Sequence, residues 1–194
     1  MRLLLIGPPG SGKGTQAVRI AEHFGIAHIS SGDLLRRHVA EETAIGRTIK
    51  EYVARGDLVP DGIVMDVLRK PVSAASQANG YVLDGFPRTV EQAEAAYLVA
   101  KALGASVRIA LYLDVGRDEL IRRVLARGRE TGRADDTEEV INHRLQVFED
   151  HTRPLLDYYA EREELITVNG ARPVEEVAWS VTVQLQRVQR QLNG

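Results

Sequence analysis

Leu3-Leu4-Leu5-Ile6-Gly7-Pro8-Pro9-Gly10-Ser11-Gly12-Lys13-Gly14-Thr15 is the stretch on which the reading of this chain turns. An apolar run of strand length enters a glycine loop, and the loop opens a segment with helical apolar spacing. The glycines let successive backbone N–H groups turn inward, the helix presents the positive end of its dipole, and Lys13 adds a cation. The spacing from Gly7 to Gly12-Lys13, in this strand-loop-helix context, is that of a loop that grips polyphosphate. The generic motif places Ser or Thr directly after the lysine. Here Gly14 intervenes and Thr15 follows, so a metal-facing hydroxyl is displaced by one residue.

Outward from this loop, apolar runs at 3–6, 81–83, 107–113 and 165–168, with a weaker one at 27–29, predict strands. Helical spacing at about 13–24, 89–103, 116–126 and 174–191 separates them, the alternation of a parallel sheet covered on both faces. Residues 31–59 are richer in charge and read as two or three short helices broken by Gly46 and Gly56, an insertion able to move as a unit. Residues 127–136 lack apolar periodicity and predict an exposed loop. Thr137 with Val140, Ile141 and Leu145 starts a helix that Pro154 kinks or ends.

Composition narrows the classes further. At 194 residues and 44% hydrophobic content the chain suffices for one core. Twenty-five Lys and Arg against 27 Asp and Glu leave a net charge of -2, with no basic bias toward nucleic acid. The absence of cysteine excludes disulfides and thiolate zinc sites and is compatible with a reducing cytosol. The leading apolar run is too short for a signal peptide or a membrane span, so a cytoplasmic protein without membrane partners is expected.

A second motif, Asp84-Gly85-Phe86-Pro87-Arg88-Thr89, follows the run at 81–83 and brings an acid and an arginine to the carboxyl edge where the first loop lies. With both motifs, Ile29-Ser30-Ser31-Gly32-Asp33-Leu34-Leu35-Arg36, Gly56-Asp57-Leu58-Val59-Pro60 and Val168-Asn169-Gly170-Ala171-Arg172-Pro173-Val174, the chain closely resembles the adenylate kinases over nearly its whole length. The resemblance implies a P-loop three-layer α/β/α fold with a central five-stranded parallel sheet. It implies a core of 1–29, 60–125 and 137–194, an acceptor-binding insertion at 30–59 and a short lid at 126–136. The activity implied is reversible phosphoryl transfer from ATP, carried with Mg²⁺, to AMP, giving two ADP. A monomer is implied, with no zinc in the lid.

Carried over position by position, the resemblance assigns Gly10, Ser11, Gly12, Lys13, Gly14 and Thr15 to the ATP phosphates and Arg172 to the adenine of ATP. Ser31, Arg36, Asp57, Leu58, Val59, Gly85, Phe86, Pro87, Arg88 and Gln92 would surround AMP. Arg127, nearer ATP, and Arg133 and Arg144, nearer the acceptor, would close over the transferred group, and Asp84 would hold waters of the magnesium shell. Position 31, usually threonine in this family, is serine here. The lid resembles the short form.

The acceptor of such a reaction is a phosphate oxygen already ionised at neutral pH, so no base has to remove a proton. His23, His28, His38, His143 and His151 accordingly read as surface or packing residues. What the chemistry needs is charge neutralisation, since two unit charges about 4 Å apart repel by roughly 4 kcal/mol at an effective dielectric near 20. Lys13, Arg36, Arg88, Arg127, Arg133 and Arg144 supply it, the guanidinium groups binding two oxygens at once. Asp135 and Asp136 either orient the lid arginines or cap the next helix, for which Thr137, Glu138 and Glu139 already offer a start. A pyrimidine monophosphate kinase of the same architecture is the nearest rival; such relatives tend to carry alanine at position 31 and asparagine at 89, and lack the match at Gln92. A regulatory module that only holds ATP would have no need of Arg36, Arg88 and Gln92, and a GTP switch would carry an Asn-Lys-x-Asp segment, absent here.

Overall fold

The structure, a computed structural model, describes residues 1–102, 104–131 and 137–193. Five strands, β1 (Arg2–Ile6), β2 (Ala27–Ser30), β3 (Tyr81–Asp84), β4 (Ile109–Asp114) and β5 (Glu164–Asn169), form one sheet in the order β2-β3-β1-β4-β5. Every pairing is parallel, with Leu3 opposite Val82 on one side and Ile109 on the other. The sheet is apolar on both faces because both are covered.

Period-two alternation along the strands sorts the core into two layers. Leu3 and Leu5, with Val82, Leu111 and Ile166, meet Ala17 and Ile20 of α1 (Lys13–Phe24) and Val181 and Leu185 of α9 (Val174–Asn193). Leu4 and Ile6, with Leu83 and Tyr112, face the other way. There they meet Val64 and Leu68 of α4 (Asp61–Gln77), Ala93 of α5 (Val90–Ala102) and Leu155 and Tyr159 of α8 (Leu155–Ala160). The expected three-layer fold with a five-stranded parallel sheet is therefore present. A satellite cluster of Leu120, Val124, Ile141 and Leu145 ties α6 (Arg117–Thr131) to α7 (Glu138–Val147). No helix among the described residues is long and apolar enough to cross a membrane.

Four local expectations change. First, α6 continues through Arg127 and Arg129 to Thr131, so the first half of the expected exposed loop is helix. Ion pairs of Glu119 with Arg122 and Arg123 and the packing of Leu120 and Val124 anchor this helix, whose exit then needs no apolar residue. Second, Gly46 does not break a helix. It lies inside α3 (Ala44–Arg55) where that helix crosses α2 (Ser31–Ala40), and a Cβ there would run into the His38 carbonyl oxygen. Gly56, by contrast, ends α3 in the left-handed conformation, φ 77°. Third, α4 is an additional helix with Pro71 in its interior; buried Val64, Leu68 and Ala75 keep one apolar face through it. Fourth, α7 passes into a π-helical turn, Phe148–Thr152, before Pro154 caps α8. The start of α7 is capped by Thr137, whose hydroxyl accepts from the Val140 N–H; Asp135 and Asp136 lie outside the described residues.

Candidate functional site

The loop between β1 and α1 and the loop after β3 leave neighbouring strands at one end of the sheet. Lys13 folds back over its own loop, Nζ donating to the carbonyls of Gly7 at 2.8 Å and Pro8 at 3.0 Å. Gly10 has φ 83° and sits so close to α6 that a Cβ would come within 2.7 Å of Val124 Cγ2 and 2.8 Å of the Leu120 carbonyl. Ser11 is buried, its hydroxyl packed so close to Gly7 that a Cβ there would stand 2.7 Å from it. Gly10, Gly12, Lys13, Gly14 and Thr15 line a cavity of about 800 Å³. Its other walls include Asp84, Arg88, Arg127, Arg144 and Arg172.

Next to it lies a compartment of about 50 Å³ walled by Ser31, Leu35, Arg36, Asp57, Leu58, Val59, Phe86 and Gln92. Arg36, Gly85, Arg88 and Arg144 face both spaces. A third hollow of about 70 Å³, reaching Lys13, Leu58, Pro87, Arg88 and Arg144, completes the junction. Every expected site residue among the described ones except Ser11 lines one or more of these spaces; Arg133 lies outside the described residues.

Charge in this crevice is crowded and poorly solvated. Burial pushes the Lys13 ammonium down to about 8, with nearby Asp84 opposing the shift and Arg88, Arg144 and Arg127 adding to it. Arg88 is pushed down to about 10 by burial, then by Arg144 and Arg36, against the pull of Asp84. Asp84 itself is buried and its Oδ1 has no hydrogen-bond partner. The Ser31 hydroxyl is likewise buried and unpartnered. Both residues wall these spaces, where a polar ligand can reach the unpartnered atoms.

Some contacts were not legible from the motifs. Gln92 accepts from the Arg88 N–H at 2.7 Å and donates to Asp61 Oδ1 at 2.6 Å, so its amide already ties the arginine loop to the start of α4. To face a base edge as expected, it has to exchange or share the Asp61 contact. Arg123 lines the large cavity, pairs with Glu119 and donates to the carbonyls of Gly170 and Ala171 at 2.8 and 3.2 Å, clamping the loop that carries Arg172. Its place one helical turn before Arg127 is the sequence signal that could have singled it out. Among the described residues no cluster of His, Asp or Glu has the makings of a protein-only metal centre.

The sequence model described as adenylate kinase matches residues 5–164. An adenylate kinase of Rhodococcus erythropolis is 47% identical over 91% of this chain and 94% of its own length. One from Kocuria rhizophila is 40% identical over 96% of the chain and 99% of its own length, and adenylate kinase 1 of a Nostoc species is 43% identical over 95% and 98%.

Proposed function

The chain belongs to the adenylate kinase family, and from that premise we infer that it passes the terminal phosphoryl group of ATP to AMP, giving two ADP, in both directions. The observation that carries the reading is the shared wall. Arg36, Gly85, Arg88 and Arg144 border the large cavity and the small compartment together, so two phosphate chains would meet at one set of guanidinium groups.

In this reading Gly10, Ser11, Gly12, Lys13, Gly14 and Thr15 hold the donor phosphates, Arg127 covers them, and the Arg172 segment meets the donor base. Ser31, Asp57, Leu58, Val59, Gly85, Phe86, Pro87 and Gln92 enclose the acceptor nucleoside. Arg36 and Arg88 fix its phosphate. Arg133 and Arg144 stabilise the charge spread over the group in transit. Because the acceptor oxygen is ionised, these residues position and neutralise without moving a proton; closure of 126–136 over the crevice excludes water as competing nucleophile.

The donor set suits a phosphate-bound divalent cation held through water. Asp84 offers a buried carboxylate oxygen with no partner beside the lysine loop. Bound there with ATP, Mg²⁺ would neutralise phosphate charge. A cytoplasmic monomer acting on ATP, AMP and ADP completes the proposal. The test is ADP formation with ATP and each of AMP, UMP, CMP and GMP. AMP should be strongly preferred, as Ser31, Thr89 and Gln92 speak against the pyrimidine pattern; equal rates with UMP or CMP would overturn the assignment.

A further inference from the structure

We propose that His143 is a positioning residue for the acceptor compartment: its imidazole holds the turn after α3 against α7 and so keeps the acceptor wall assembled. The proposal rests on the acceptor reading above and deepens it. His143 Nε2 lies 2.7 Å from Asp57 Oδ1, a contact between residues 86 positions apart. The other carboxylate oxygen accepts from Arg55 Nε at 3.0 Å, so Asp57 is gripped from both sides.

Val140, His143 and Arg144 share one face of α7, and all three meet this turn. Gly56 packs so closely on Arg144 that a Cβ there would stand 2.5 Å from Arg144 Cγ and 3.1 Å from Val140 Cγ1. Leu58 and Val59, which follow Asp57 directly, wall the acceptor compartment, as does Arg144. His143 itself lines none of the three spaces of the site. It acts through the turn: with Asp57 held, Leu58, Val59 and Arg144 stand in place before the acceptor arrives.

The His143 and Asp57 side chains are 46% and 33% exposed, which makes the contact a reversible bias toward the closed wall and not a lock. An acceptor that binds only the assembled wall loses affinity in proportion to the population in which the wall has opened. The reacting atoms are untouched.

Two measurements decide it. His143→Ala should raise KM for AMP about three- to fivefold, the range of a good partly exposed pair. KM for ATP should stay within about twofold of wild type and kcat should not fall, because no transition-state contact is lost. His143→Gln, which keeps an N–H donor, should restore KM for AMP. Since the chain has no cysteine, Lys50→Cys and Glu161→Cys supply the only thiols for a spin-label distance measurement. Without nucleotide, His143→Ala should lengthen the mean distance; with diadenosine pentaphosphate bound, variant and parent should coincide. Equal rises in both KM values, no rescue by glutamine, or unchanged distances would each overturn the proposal. Wild-type protein inert toward AMP would instead strike at the acceptor assignment, while the distances would still decide whether His143 holds the wall.

Discussion

Lys13 and Arg88 are perturbed in the same direction for the same reason: each cation is withdrawn from water into a crevice already crowded with positive charge. For Lys13 the sign is simple. Below about 8 the ammonium is charged before the donor arrives; above it the neutral fraction grows, whereas bound polyphosphate keeps the proton on. ATP affinity should therefore fall as pH rises past this point, and binding at about pH 8.5 should take up a proton. Calorimetric titration in buffers of different ionisation enthalpy reads that uptake directly. Arg88→Ala should lower kcat roughly 10²- to 10³-fold, the loss expected for one transition-state donor. A drop under about threefold in steady-state assays would remove Arg88 from its assigned role. Gln92 is a different case, because its amide braces the Arg88 backbone against Asp61. Gln92→Leu should thus disturb acceptor binding and turnover together, which a comparison of KM and kcat separates.

At the level of elements, α2 and α3 meet closely at Gly46. Gly46→Ala has to part the two helices, at a cost of about 1–3 kcal/mol for an overpacked site. Scanning calorimetry should show a lowered Tm, and nucleotide titration should show weakened AMP binding with ATP binding little changed. Legibility also divides by element. β1, β3 and β4 were readable because both faces are buried and nothing interrupts the apolar run. α4 was hidden by Pro71, although Val64, Leu68 and Ala75 mark its face. The tail of α6 was read as loop because 127–131 contain no apolar residue; its helicity is inherited from the packed turns before it. The two phosphate motifs announced most of the site. The contacts of His143 with Asp57 and of Arg123 with Gly170 join residues far apart in sequence and belong to no motif, so only the folded chain reveals them.

For the whole molecule, the crevice opens at one end of the parallel sheet, lined by Gly32 and Arg36 of α2 and by Arg123 and Arg127 of α6; the proposed function assigns motion to 30–59 and 126–136. If closure or ADP departure limits turnover, kcat should fall in proportion to added solvent viscosity. A viscosity-independent kcat together with slow single-turnover chemistry would place the limit at the transfer itself.

One consequence comes from the register of the central pair of strands. Leu5 lies opposite Asp84, so the lysine loop and the arginine loop spring from adjacent strands within one residue of the same level. Neighbouring strands stand about 4.8 Å apart in any sheet. The spacing between the roots of the two loops is thus set by the repeat distance of the sheet, like the gauge of a railway. Grafting α2 and α3 from a relative should therefore alter the affinity for the acceptor while leaving this spacing unchanged.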